Sequence, residues 1–167
     1  MYMHIHMTQK QAAGNTAGKT ARKTLVRDAR AALSVCAGWN ARLAARRITK
    51  FLDDRMARGG LGIAQFALLA QIAAAREDTL SALAGRIGLD QSTLSRNLRA
   101  LERAGLVEIA STGRDLRRRV VWLTERGARR LEQALPIWRE AHTALTGLVD
   151  PEPAWRLAAA SEKLVGA

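Results

Sequence analysis

Residues Thr79 to Gly127 read TLSALAGRIGLDQSTLSRNLRALERAGLVEIASTGRDLRRRVVWLTERG, and this stretch decides the fold. Thr79 or Ser81 can cap a short helix whose inner side is Leu83, Ala84 and Ile87. Gly88 permits the tight turn that ends it. Asp90 or Ser92 then caps a second helix, which runs to about Ala104 and stops at Gly105. Its inner side is Leu94, Leu98 and Leu101, at i, i+4 and i+7. Two helices joined by a short glycine-bearing turn, the second opening on polar residues, make a helix-turn-helix. After Gly105 the period changes. LVEIAS and RRVVWLT are short β-branched runs separated by Thr112, Gly113, Arg114 and Asp115, which predicts a β-hairpin with a basic tip.

Outward from this centre the chain is helical. Apolar residues at spacings of three and four (Leu25, Leu33, Cys36, Trp39, Leu43, Ile48, Phe51, Leu52) predict one helix from about Leu25 to Met56. Gly59, Gly60 and Gly62 end it, and IAQFALLAQIAAAR predicts a buried helix from Ile63 to Arg76. Thr124 caps another long helix with Leu131, Leu135, Trp138 and Ala141 on one side and an expected kink at Pro136. Asp150, Pro151 and Pro153 mark a break before a last helix, Ala154 to about Val165. Residues 1–23 show no apolar period and are expected to form a flexible basic arm. The fold class is therefore mainly α with a small β-hairpin wing. A winged helix-turn-helix lobe (61–124) lies between an N-terminal helix (24–60) and C-terminal helices (125–167), both expected to serve dimerisation.

Composition narrows the function. Twenty-seven Lys and Arg against fifteen Asp and Glu give a net charge of +12, which favours a polyanionic partner. One cysteine, Cys36, excludes an internal disulfide and a multi-cysteine zinc site. His4, His6 and His142 lack carboxylates at ligand spacing, so neither metal nor cofactor is expected. Asp53 and Asp54 are adjacent and point to different sides of a helix, which argues against a nuclease and for a protein that is not an enzyme. Arg or Lys interrupts every apolar run before membrane-spanning length, and the start has no secretory pattern; a cytoplasmic protein is expected.

The second helix of the motif carries the chemistry of base reading. Its first turns supply Gln91, Ser92, Thr93, Ser95, Arg96, Asn97 and Arg99. Arg pairs with guanine through two bonds, Asn and Gln pair with adenine, and hydroxyls reach phosphates or base edges. At the wing, Arg114, Arg117, Arg118 and Arg119 surround a small tip suited to the negative minor groove. A solvated helix face and a soluble strand edge are the plainer readings of each element alone. Turn, caps and basic hairpin together favour DNA.

These blocks resemble the MarR family of winged helix-turn-helix regulators over Leu61 to Gly127. GLGIAQFALLAQI is similar to the family's helix before the motif, and Asp115, Arg117, Val121, Leu123, Thr124 and Gly127 stand where its wing signature places them. The resemblance implies a homodimer with interlaced terminal helices, double-stranded DNA as partner, and an effector of the phenolic or aromatic-acid kind. Its implied function is a repressor released from a palindromic operator by that small molecule; the effector residues stay unassigned, with Trp39, Arg46 and Phe51 conceivable. Some relatives sense peroxides through a cysteine on the first helix, which makes a redox-responsive repressor using Cys36 the alternative. Against it, the only tyrosine is Tyr2, and Cys36 is expected on a buried face between Leu33 and Trp39.

Overall fold

The computed structural model describes residues 21–75, 78–111 and 119–164. The chain divides into two compact units, residues 1–47 and 48–167. Helix α1 occupies 21–35 of the first unit, so residues 21–23 of the expected arm are helical. Helix α2 spans Ala37–Met56. The single helix expected from Leu25 to Met56 is thus broken at Cys36. The side chain of Asn40 explains how the break is tolerated. Its amide nitrogen donates toward the carbonyls of Leu33 and Ser34 at 3.3 and 3.2 Å, acceptors of the kind a helix end leaves without partners, and toward that of Cys36 at 3.0 Å, where α2 begins. An apolar period that continues across the break conceals it.

In the second unit, a 3-10 turn at Ala57–Gly59 leads to Gly60, whose φ of 64° is left-handed. Helix α3, Ile63–Ala74, follows. Asp53 Oδ1 reaches from α2 to accept the Ile63 N–H at 2.7 Å, capping α3, and Asp54 pairs with Lys50 at 3.0 Å. Both carboxylates weighed as catalytic are engaged in holding helices. Then come β1 (Asp78–Thr79), α4 (Leu80–Ile87), α5 (Gln91–Arg103), β2 (Val107–Ser111), β3 (Arg119–Leu123), α6 (Glu125–Thr146) and α7 (Glu152–Ser161).

The hairpin is part of a three-stranded antiparallel sheet in the order β1-β3-β2. Val107 faces Leu123 and Ser111 faces Arg119 across the hairpin, while Asp78 and Thr79 pair with Val121 and Val120. The two-residue β1 is too short to show an alternating pattern, and only the hairpin is legible in the sequence. Its register places Trp122 opposite Glu108, and the indole N–H donates to the carboxylate at 3.1 Å.

The larger core of the second unit joins α3, α4, α5, β2, β3 and α6. Leu69 of α3, Leu83 of α4 and Leu94 and Leu98 of α5 are fully buried with Met56, beside Val107, Val121, Leu131 and Ala134. At about 25 cal/mol per Å² of apolar surface, each buried leucine contributes roughly 2 kcal/mol. Trp138 belongs here too: it stacks on Phe66 at 5.6 Å and contacts His142 at 5.1 Å. Its stripe position fitted a partner-facing residue, and the chain's own core claims it. Cys36 departs from expectation in the other direction, because it is exposed.

Candidate nucleic-acid interface

The helix-turn-helix is built by local hydrogen bonds that the sequence dictates. Thr79, not Ser81, caps α4, its hydroxyl accepting the Ala82 N–H at 3.2 Å. Gly88, at φ 64°, closes α4 while the Leu89 N–H returns to the Ala84 carbonyl at 3.1 Å. Helix α5 begins at Gln91, and Asp90 is its cap. One carboxylate oxygen accepts the Ser92 hydroxyl at 2.6 Å and the Thr93 N–H at 2.8 Å; the other accepts the Thr93 hydroxyl at 2.8 Å. The Ser92 hydroxyl bond leads these in holding the Asp90 carboxyl well below the usual carboxylate range. A carboxylate whose folded value is depressed stabilises the fold above the usual carboxylate range, and loses that contribution as pH falls through the depressed value. The cap is therefore intact across the physiological range.

That geometry sorts the expected site residues. Ser92 and Thr93 direct their hydroxyl protons to Asp90. The Gln91 amide donates to Ser81 Oγ at 3.1 Å, tying α5 to the start of α4. Arg96 donates to Thr93 Oγ1 at 3.1 Å, so its guanidinium is held over the first turn. Arg96, Asn97 and Arg99 are exposed, while Leu94, Leu98 and Leu101 are buried on the opposite side of the same helix. Arg119 opens β3, and with Gln91, Ser95 and Ser81 it lines a recess of about 450 Å³ between α4, α5 and the sheet. The structure thus brings Gln91, Ser95 and Arg119 together. Arg114 and Arg117, with Arg118, lie outside the described residues. Sequence reasoning missed Ser81 as the anchor of Gln91, although both were candidate cap or contact residues.

The end of α5 is welded to the start of α6. The Thr124 hydroxyl donates to the Gly105 carbonyl at 2.7 Å and accepts the Gly127 N–H at 2.9 Å. Thr124 N–H donates to the Leu106 carbonyl at 3.1 Å. A Cβ on Gly127 would collide with that same carbonyl oxygen, so only glycine allows α6 to approach this closely. Beside this junction lies a cavity of about 610 Å³ lined by Gly60, Gln65, Leu106, Arg126, Arg130 and Gln133, among others.

Among the described residues no helix is long and apolar enough to cross a membrane, and no cluster of potential metal ligands occurs.

A helix-turn-helix with a hairpin wing, its second helix turning arginine and asparagine outward, defines a winged-helix protein of the DNA-binding class. Comparison with known proteins then fixes the family. A sequence profile described as MarR family matches residues 59–118. The Mycobacterium tuberculosis transcriptional regulator MosR, solved in complex with DNA, is 34% identical; the match covers 77% of this chain and 96% of that one, with a TM-score of 0.69. A cysteine-to-serine mutant of Escherichia coli MarR, complexed with operator DNA, is 24% identical over 80% of this chain and 96% of that one, with a TM-score of 0.67. Bordetella bronchiseptica BpsR, whose DNA binding is regulated by 6-hydroxynicotinic acid, is 21% identical over 80% and 96%, with a TM-score of 0.65. The last two bear on the fold alone. No curated protein sequence matches the chain. The chain belongs to the MarR family of DNA-binding transcriptional regulators.

Proposed function

We propose that this protein is a homodimeric repressor that reads a two-fold-symmetric operator and leaves it when a small aromatic acid or phenol binds. The observation that carries the reading is α5: Arg96, Asn97 and Arg99 exposed on a helix whose other side is anchored by three buried leucines. A helix so anchored enters the major groove as a rigid element, with Arg96 and Asn97 as base readers. Ser92 and Thr93 hold the Asp90 cap that fixes the first turn of α5, and Gln91, Ser95 and Arg119 form a lateral contact. Arg114 and Arg117 are assigned to the minor groove by their place in the sequence between β2 and β3. MosR's DNA complex supports the partner.

Dimerisation is supported by apolar side chains that the chain itself leaves uncovered. Leu25, Val35 and Trp39 are 68, 80 and 44% exposed near one end, and Leu148, Trp155 and Leu164 are 70, 60 and 72% exposed near the other. Such surface calls for a second copy. Two lobes one helical turn apart then select an inverted repeat. For the effector, the cavity beside the α5–α6 junction has a suitable size. It also offers Arg126 and Arg130, which have no carboxylate partner among the described residues, to an acidic group. 6-Hydroxynicotinic acid, which regulates DNA binding by BpsR, is a molecule of this class.

The test is recovery of bound fragments from genomic DNA followed by footprinting. Fragments sharing an inverted repeat with half-sites one helical turn apart are expected. Recovery without any shared sequence would overturn the operator reading.

A further inference from the structure

The chain's positive charge is concentrated away from the helix-turn-helix. Residues 1–47 hold nine Lys and Arg and a single Asp, a net +8, against +4 for Ile48–Ala167. In the second unit many cations have carboxylate partners: Lys50 with Asp54, Arg58 with Glu140, Arg129 with Glu125, Arg156 with Glu152. The first unit offers only Asp28, which Arg27 takes at 3.0 Å. On α1, Lys23, Arg27 and Arg30 follow at spacings of four and three, Arg22 precedes them directly, and all four are exposed and line one shallow groove with Val26. Among the described residues Arg22, Lys23 and Arg30 have no carboxylate within ion-pair distance. Like charges at these spacings destabilise a helix, and an external polyanion reverses the sign of that effect.

We propose that this stripe on α1 is a second DNA contact, holding phosphates that flank the bases read by α5 without reading sequence itself; it rests on the DNA-binding reading above. From Arg22 to Arg30 the helix rises about 12 Å. Over that length one strand of B-DNA presents about three or four phosphates. The stripe therefore matches a short run of backbone in both charge and length. An anionic membrane is the weaker fit. The groove has one apolar member, Val26, and residues 21–35 contain no aromatic side chain to anchor in a headgroup layer. DNA, by contrast, is already the partner that the reading above gives to α5 of the same chain.

The test replaces Arg22, Lys23, Arg27 and Arg30 by Gln in the full-length protein, which removes charge while keeping helix propensity. Binding is measured through a salt series on a duplex just covering the footprint of the two recognition helices and on one extended by two turns at each end. Random-sequence duplexes of both lengths are included. On long duplexes the salt slope should fall by about 0.9 for each phosphate that the variant no longer neutralises, with a roughly tenfold or greater loss of affinity at low salt. On short duplexes wild type and variant should coincide. A second variant, Arg22→Lys with Arg27→Lys and Arg30→Lys, should keep the wild-type slope, since holding a phosphate needs charge and not a guanidinium.

Identical slopes on long DNA would overturn the proposal. So would equal losses on both lengths, which would place the effect in assembly, or loss of slope in the lysine variant. Loss of binding to phosphatidylserine vesicles with DNA affinity unchanged would assign the stripe to membranes instead. If wild type shows no operator preference, the operator reading fails, and the random duplexes still judge the stripe by the same difference in slope.

Discussion

The winged lobe and the helices at either end of the chain use the same residue types to opposite ends. In the lobe, Leu83, Leu94 and Leu98 are 0% exposed; towards the termini, Leu25, Trp155 and Leu164 are 68, 60 and 72% exposed. All three terminal residues stand at helical spacing, and nothing in their local pattern separates them from core. The difference teaches that the lobe closes its core within one chain, whereas the terminal helices carry apolar surface that the described residues leave uncovered. Stability and assembly should then respond to different substitutions.

The largest effect is expected inside the lobe. Gly127→Ala places a methyl group against the Leu106 carbonyl at the α5–α6 junction. Overpacking a core costs about 1–3 kcal/mol and occasionally more, and a Cβ driven against a backbone oxygen puts this substitution at the upper end. Urea denaturation should show that loss with the helix content of the folded state retained. An unchanged midpoint would mean that α6 shifts freely at this point, and that the lobe is less closed than its burial implies.

Base reading should come next. Arg96→Ala or Asn97→Ala should each cost about 1–3 kcal/mol on the operator and much less on random DNA. Arg117→Ala and Arg119→Ala should weaken both DNAs and flatten the salt dependence. Equal losses on both DNAs for Arg96 and Asn97 would reduce those residues to phosphate clamps.

A smaller effect, confined to assembly, is expected when the chain is truncated after Pro151, which removes Trp155, Leu157 and Leu164. The lobe's unfolding midpoint at high protein concentration should hold, while sedimentation should show the dimer weakened about tenfold, or ~1.4 kcal/mol. A folded monomer in the untruncated protein would sink the paired-half-site reading.

How much of this was legible follows the same division. The helix-turn-helix was readable because its determinants are local: Thr79, Gly88, Asp90 and Gly105 stand at the ends of elements, and Leu94, Leu98 and Leu101 mark one face. The sequence left open which of Asp90 and Ser92 caps α5, since both have the chemistry. The carboxylate wins by accepting from Ser92 and Thr93 at once. Three things were not legible. The helix break at Cys36 is bridged by Asn40, four residues on, under an unbroken apolar period. The strand Asp78–Thr79 exists only through its pairing with β3. Trp138 lies on a stripe that serves a partner or a core equally well, and its stack on Phe66 decides.

The smallest expected effect concerns Cys36, and it tests the terminal region where sequence and structure disagreed most. The residue was expected on a buried face as a small hydrophobe; it is exposed at the junction of α1 and α2, so access no longer protects it from oxidants. Exposure alone does not make a sensor. A thiol that signals needs groups that stabilise the thiolate and a structural change that its oxidation drives. What holds the junction together at this position is the Cys36 backbone, whose carbonyl accepts from the Asn40 side chain and main chain, each at 3.0 Å. Those bonds survive any change at the side chain. Cys36→Ser should therefore leave operator affinity within about 0.5 kcal/mol of wild type, the range of a surface substitution. Asn40→Ala should disturb the α1–α2 junction more than the loss of the thiol does. Organic peroxide added to both Cys36→Ser and wild type on operator DNA gives the decisive measurement. Release of wild type with retention of Cys36→Ser would make this exposed thiol the signal, and the terminal region would then be a switch as well as an assembly surface.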